Sequence, residues 1–327
     1  MNSIEIHNYL MSQHRNVYQE AQLFEQNRKE VASYLNELVH PFQPASKLKI
    51  QGDKLISENL DSFLIKDNVI DFRASNVDSS ELHVQWKELN ATLINYQKFL
   101  TPYVLLNSLS IYNYIGEKTG LNAIKNAKVV DVGAGTGQIF GSFFFHQESI
   151  DYYLLDPNLR FLHDQFLRLY PKLSQYPIAH ILCYAENLPF RSEFADLVMS
   201  ISSIDHFKDY KKFMSESNRI LKPGGHILIA SHLDSLTEKP IKPKTPAELR
   251  VDGHTKSLAS KIYNRLGLKF EYYARKFHNK KRGKVEDDHM HHFEDTKQLE
   301  VALKETGFVV EQAEVFNHNF FIKARKI

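Results

Sequence analysis

Lys128-Val129-Val130-Asp131-Val132-Gly133-Ala134-Gly135-Thr136-Gly137 decides the fold, because it reads as a buried strand running straight into a glycine-rich turn. Val129, Val130 and Val132 suit a strand covered on both faces, and the glycines let the main chain approach a ligand that any Cβ would hold off. Counting on from Gly135, Tyr152-Tyr153-Leu154-Leu155-Asp156 is a second β-rich run ending in a carboxylate. The interval is about 20 residues, the separation at which a second parallel strand delivers an acid to a ribose. One turn and one acid outline a nucleotide cleft.

Spacing bears on which nucleotide fits. A dinucleotide fingerprint is G-x-G-x-x-G, whereas here Gly137 comes one position early and Gln138 stands in the sixth place, which argues against NAD. Asp131-Val132-Gly133-Ala134-Gly135-Thr136-Gly137 and Asp156 are followed by Ala185-Glu186-Asn187-Leu188-Pro189-Phe190, with Phe194-Ala195-Asp196-Leu197-Val198 behind it. Leu221-Lys222-Pro223-Gly224-Gly225 then precedes another strand. In that order, these signals resemble the class I S-adenosylmethionine-dependent methyltransferases. The resemblance covers Ala127 to Leu233 and continues more loosely from Phe293 to Lys323.

The resemblance implies an α/β fold: a Rossmann-like, doubly wound, seven-stranded sheet whose last strand pair is antiparallel. The sequence supplies matching runs. Ile178–Tyr184 reads as the third strand, Asp196–Ile201 as the fourth and His226–Ala230 as the fifth, with Gly307–Glu311 and Phe320–Ala324 as the closing pair. Strands alternating with helical stretches argue for a parallel sheet covered on both faces, with ligands beyond the carboxyl ends of the strands. This domain is expected over residues 121–327, with an insertion after the fifth strand at 235–290.

Residues 1–120 are expected to form a mainly helical N-terminal extension. Apolar residues recur at Val17, Ala21, Phe24, Val31, Tyr34, Leu35 and Leu38 as on a helix face. Leu82 to Tyr114 reads as two helical stretches parted near Thr101-Pro102, since proline disfavours helix in the residue before it. In the resembled family such helices lie over the cofactor, which would bring Trp86, Tyr96 or Tyr103 to it; packing in the core is the other reading of the same aromatics. Between them, at about 48–75, Leu48-Lys49-Ile50, Phe63-Leu64-Ile65 and Asn68-Val69-Ile70-Asp71-Phe72 suit a small β-hairpin module. It resembles a ribbon that precedes some methyltransferase domains, in which paired cysteines hold zinc. Those cysteines are absent, so the piece is either a ribbon without metal or a hairpin with a common ending.

Composition bounds the rest. The 327 residues are 43% hydrophobic and 24% charged, ample for a core, and the length exceeds the usual domain mode of about 100–150. A net charge of +2 makes no electrostatic case for nucleic acid or a membrane surface, so neither is the expected partner. The single cysteine, Cys183, cannot close an internal disulfide and points to a reducing compartment. Met1 to Glu30 has no continuous apolar run, and no window reaches the ~20 apolar residues of a membrane-spanning helix. A cytoplasmic protein is expected, with no signal for an oligomeric state.

The resemblance assigns the cofactor, S-adenosylmethionine, to named residues. Gly133, Ala134, Gly135, Thr136 and Gly137 would present main-chain amides to the methionine carboxylate and the sugar. Asp131 would help hold the amino group of the methionine part, with a turn-fixing role as the alternative. Asp156, followed by Pro157, would accept both ribose hydroxyls, with helix capping as the alternative. Tyr184, Ala185 and Glu186 fall where the family reads adenine. Tyr184 replaces the usual acid there, so recognition of the adenine amino group passes to its hydroxyl, to Glu186 or to main-chain carbonyls. Ser200 and Ile201 would flank the sulfonium and the acceptor.

The chemistry asks little of side chains, because a sulfonium already makes its methyl group electrophilic. Holding a nucleophile in line with the methyl–sulfur bond supplies on the order of 7–11 kcal/mol, so no catalytic triad is needed. A base matters only for acceptors that must lose a proton. His206, shortly after the fourth strand, is the candidate, since imidazole is the side chain that most often serves as a general base, although the family often carries a histidine there without catalytic duty. Asp287-Asp288-His289-Met290-His291-His292 leads into Phe293 and Leu299. In resembled proteins such a segment lies near the substrate pocket, which nominates His289 and His292 for substrate contact; no metal site is expected, since adjacent ligands on one short segment seldom close one. Lys276, Lys280, Lys281, Arg282 and Lys284 form a basic run, read as a solvated loop or as a clamp on an acidic substrate.

The expected function is methyl transfer to a small or medium-sized metabolite by in-line displacement. One alternative is a nucleic-acid or protein methyltransferase, although Ser200 to Asp205 lacks the prolines of a segment suited to a flipped base. The other is a catalytically inactive member that binds or scaffolds, since fold alone does not establish function.

Overall fold

Apolar runs too short for helices and flanked by turn residues become the strands of one sheet. A computed structural model of the protein describes residues 28–73, 111–112, 114–135, 149–157, 178–233, 290–316 and 319–327. Outside them lie the expected helix as far as residue 27, the aromatics Trp86, Tyr96 and Tyr103, the turn residues Thr136 and Gly137, the insertion as far as 289 with the basic run, and His289.

In chain order the strands are β1 (Leu48–Gln51), β2 (Lys54–Ser57), β3 (Ser62–Lys66), β4 (Val69–Asp71), β5 (Lys128–Val132), β6 (Asp151–Leu155), β7 (Ala179–Leu182), β8 (Ala195–Ile201), β9 (Leu221–His232), β10 (Phe308–Phe316) and β11 (Asn319–Lys326). Helices α1 (Tyr210–Ile220) and α2 (Lys297–Glu305) accompany them. The sheet order is β1-β2-β3-β4-β7-β6-β5-β8-β9-β11-β10. Strands β4, β7, β6, β5, β8 and β9 run parallel, β11 is antiparallel to β9, and β10 is antiparallel to β11.

Among the described residues the sheet has eleven strands where seven were expected. The ribbon β1–β4 joins it, because Val69, Ile70 and Asp71 of β4 pair in parallel with His180, Ile181 and Leu182 of β7. Ile70 is fully buried by that pairing. The described part of the N-terminal extension also departs from a helical reading. Val31–Ser33 and Leu35–Glu37 are 3-10 turns, and Tyr34 between them (φ −129°, ψ 13°) leaves the helical region. The 3,4 spacing of Val31, Tyr34 and Leu38 still buries one face, as a helix would.

What fixes that segment is aromatic packing. Tyr153 of β6 meets Tyr34, Phe190 and Phe194 edge-on, at centroid separations of 5.8, 5.3 and 5.0 Å, while Phe190 and Phe194 stack at 4.4 Å. Pairs of this kind are worth about 0.5–1.5 kcal/mol each beyond the area they bury. Glu37 adds ion pairs to Lys128 and Arg191. Helices α1 and α2 cover the same face, burying Phe213, Met214, Leu299 and Leu303. Ile115 and Leu121 cover the opposite face against Val129, Tyr152 and Leu154.

The chain order reverses around β5, whose neighbours are β6 and β8. In a doubly wound sheet, the crevice beyond the carboxyl ends at such a switch point is where ligands bind. The turns after β5, β6, β7 and β8 all lie at that end.

Candidate cofactor and methyl-transfer site

The turn after β5 is built on the neighbouring strand. Gly133 and Ala134 donate their N–H groups to the Leu155 carbonyl at 2.8 and 3.1 Å, which curls the main chain over the end of β6. Gly133 sits at φ +71°, and a Cβ there would lie 2.5 Å from Ser203 Cβ and 2.6 Å from Ser203 Oγ. Glycine at this place is thus required both by conformation and by the approach of the loop after β8. The Gly135 N–H then donates to Asp156 Oδ2 at 2.9 Å, joining the turn to the acid that ends β6. Asp156 is buried, and Pro157 after it is partly exposed.

Asp131 is a strongly perturbed acid. It is 1% exposed, on the face of β5 that carries Val129, and accepts from the Tyr152 hydroxyl at 2.5 Å through Oδ2. Its Oδ1 is buried and has no hydrogen-bond partner among the described residues. Burial pushes its pKa from 3.8 up to about 7, opposed by the Tyr152 hydrogen bond and reinforced by the negative charge of Asp156. Two carboxylates flanking a turn of main-chain amides suit a ligand carrying both a cation and an anionic end. An ammonium beside Asp131 would supply the donor that Oδ1 lacks and restore the ionised form. On these grounds the residues present fit an adenosyl amino acid.

Beyond β8, hydroxyls hold the opposing loop. Ser203 Oγ donates to the Val132 carbonyl at 3.1 Å, and the Ser200 and Ser203 hydroxyls are 2.8 Å apart. Ser200 is fully buried and Ile201 is 6% exposed. Ser202 adopts φ +56° and donates its N–H to Ala230. His206 closes a 3-10 turn at Ile204–His206, with Nε2 3.9 Å from Asp205 Oδ2. The Asp205 carbonyl accepts from the main-chain N–H groups of Met290 and His291 at 2.8 and 3.1 Å, so the histidine-rich segment docks on this loop. Of its histidines, His292 is exposed, whereas His291 packs edge-on against Tyr210 with its Nε2 buried. Among the described residues no cluster of side chains could hold a metal ion.

The loop after β7 lies on the other flank. Ala185 is buried and Tyr184 and Glu186 are half-buried; Glu186 accepts from the Asp209 N–H at 3.2 Å. Burial raises the Tyr184 pKa, so its phenol stays a donor, while Arg73 nearby pulls the other way. Three residues of this region were not singled out from the sequence. Tyr152 carried a signal: a tyrosine within a buried strand needs a partner for its hydroxyl. Arg73 and Asp71 carried none, since their place depends on β4 pairing with a strand more than a hundred residues away.

Comparisons with known proteins agree with this geometry. Residues 109–313, more than half of the chain, match the family described as "Methyltransferase domain". The chain is 32% identical over 117 residues to a ubiquinone/menaquinone biosynthesis C-methyltransferase of Bordetella parapertussis, covering 36% of this chain and 44% of that protein. It is 29% identical over 123 residues to a phthiotriol/phenolphthiotriol dimycocerosates methyltransferase of Mycobacterium leprae, covering 37% and 43%. The chain thus spans less than half the length of these two relatives. A SAM-dependent methyltransferase from Aquifex aeolicus superposes with a TM-score of 0.42 at 15% identity, over 64% of this chain and 87% of that one. With its glycine turn, its paired acids and the family match along most of its length, the chain belongs to the methyltransferase-domain family, the class I enzymes whose cofactor is S-adenosylmethionine.

Proposed function

We propose that the protein transfers a methyl group from S-adenosylmethionine to a small or medium-sized metabolite by in-line displacement. The observation that carries this reading is the Asp131–turn–Asp156 constellation. A buried carboxylate oxygen lacks a donor on one side of the turn, and a second carboxylate is bonded to the turn's own amide on the other. When bound, the cofactor supplies a sulfonium whose methyl group is electrophilic.

In this reading the chain's residues bind and orient. The turn at Gly133, Ala134 and Gly135 faces the methionine carboxylate, and Asp131 holds the amino group. Asp156, at the end of β6, accepts the ribose hydroxyls. Tyr184, Ala185 and Glu186 line the adenine side. Ser200 and Ile201 shape the wall beside the reacting methyl, where the Ser200 and Ser203 hydroxyls keep the loop after β8 in place. His206 is the base for acceptors that must lose a proton, and the segment around His292 borders the acceptor.

Two of the relatives are named as a ubiquinone/menaquinone biosynthesis C-methyltransferase and a phthiotriol/phenolphthiotriol dimycocerosates methyltransferase, which favours a metabolite acceptor over nucleic acid. Among the described residues no helix is long and apolar enough to cross a membrane. Cys183 is buried as a free thiol, in keeping with a reducing, cytoplasmic setting.

Calorimetric titration of S-adenosylmethionine tests the core of the reading. A saturable heat is expected, weakened on the order of tenfold or more by Asp156→Ala. An absence of saturable heat would leave only a scaffold function for the fold.

A further inference from the structure

We propose that Arg73, brought by the N-terminal ribbon, is a positioning residue of the cofactor site: it locks the Asp156–Pro157 corner to the edge of the sheet. The proposal rests on the reading that Asp156 grips the ribose, and it makes β1–β4 part of the binding apparatus.

Because β4 runs parallel to β7, its carboxyl end emerges on the ligand side. Asp71 lies beside Leu182, and the Phe72 N–H donates to the Leu182 carbonyl at 2.8 Å, so Arg73 is delivered next to the loop that carries Tyr184. Its guanidinium is held as a fork. Nε donates to Asp71 Oδ1 at 2.9 Å and Nη2 to Asp71 Oδ2 at 2.6 Å, which fixes the plane. The remaining arm, Nη1, donates to the Pro157 carbonyl at 2.9 Å.

That target matters because a proline has no N–H, and its carbonyl is the one main-chain group by which hydrogen bonding can hold it. The residue before it is Asp156, whose Oδ2 already accepts from the glycine turn. Arg73 therefore anchors one side of the acid and Gly135 the other. A lysine could supply the charge but not two arms of fixed geometry toward two partners. Arg73 also lies close enough to Asp156 and Tyr184 to be influenced by both.

The test is a double-mutant cycle on cofactor binding, followed by calorimetry with S-adenosylmethionine. Arg73→Gln is expected to weaken binding on the order of tenfold. Because Arg73 acts through Asp156, Arg73→Gln combined with Asp156→Ala should bind within about twofold of Asp156→Ala alone. A second readout is the preference for adenosine over 2′,3′-dideoxyadenosine in competition with S-adenosylmethionine. Arg73→Gln should shrink that preference, which general loosening of the fold would leave unchanged. If Arg73→Gln melts too early to titrate, Arg73→Lys replaces it, with weaker binding and a reduced preference again expected. Wild-type binding by either Arg73 variant, beside weak binding by Asp156→Ala, overturns the proposal and leaves the ribose reading standing, as would additive losses in the cycle. Wild-type binding by Asp156→Ala overturns both.

Discussion

Asp131→Asn should stabilise the ligand-free protein at alkaline pH while removing cofactor binding, and the size of the effect follows from burial. The carboxyl group is 1% exposed, its pKa is raised from 3.8 to about 7, and the first cause is loss of solvent. A raised acid means that the folded state holds a proton the unfolded chain has already released. Below pH 3.8 both states are protonated and nothing is contributed. From there to about pH 7 the folded state binds more protons, so stability falls as pH rises, and above pH 7 the penalty is complete. At 1.36 kcal/mol per tenfold, the full penalty is about 4 kcal/mol, of which roughly 2 kcal/mol develops between pH 5 and pH 7. Asparagine is isosteric, keeps an acceptor for the Tyr152 hydroxyl and does not ionise. Urea unfolding of both proteins from pH 5 to 8.5 should therefore show the two stabilities diverging with rising pH, the variant ahead at pH 8. Curves that stay parallel throughout would refute a buried, uncompensated carboxylate at this position. The same protonation predicts that wild-type affinity for S-adenosylmethionine climbs as pH rises through about 7.

Gly133→Ala should cost about 1–3 kcal/mol and depress cofactor affinity, because it combines a positive φ with a Cβ 2.5 Å from Ser203. Adding Ser203→Gly should recover part of the stability, and no recovery in thermal melts would place the strain elsewhere. Arg219→Met should destabilise by about 1.5–3 kcal/mol, since Arg219 donates to the carbonyls of Phe190 and Leu188 at 2.6 and 2.8 Å and pairs with Glu216, which in turn accepts the Leu188 N–H. An unchanged urea midpoint would count against that strut.

The centre of the sheet was legible because β5, β6 and β8 are buried on both faces, which leaves short, mainly apolar runs without the spacing of an amphipathic helix. Asp131 and Asp156 were legible because each interrupts or ends such a run. The edges were less so. Strand β9 begins at Leu221, before the expected His226, because Leu221 pairs with Ala195 and the Lys222-Pro223-Gly224-Gly225 stretch then bulges before pairing resumes at His226. A single ladder contact before a bulge leaves no mark in hydropathy. The helical spacing of Val31, Tyr34 and Leu38 is equally served by consecutive 3-10 turns. Arg73 was invisible for a different reason: it is held by three hydrogen bonds, two to Asp71 two positions before it and one to Pro157 84 positions away, and pairing of distant strands is not written in either segment alone.

The parallel contact of β4 with β7 also sets an order of events during synthesis. Hairpins β1–β2, β2–β3 and β3–β4 close locally, but Val69 finds His180 only after 111 further positions have been made. At about 5–20 residues per second, roughly 5–20 seconds of translation pass with the meander formed and Ile70 still wet. The ribbon is made before the strand it docks on, so β4 can take its place beside the crevice only once β7 has been synthesised.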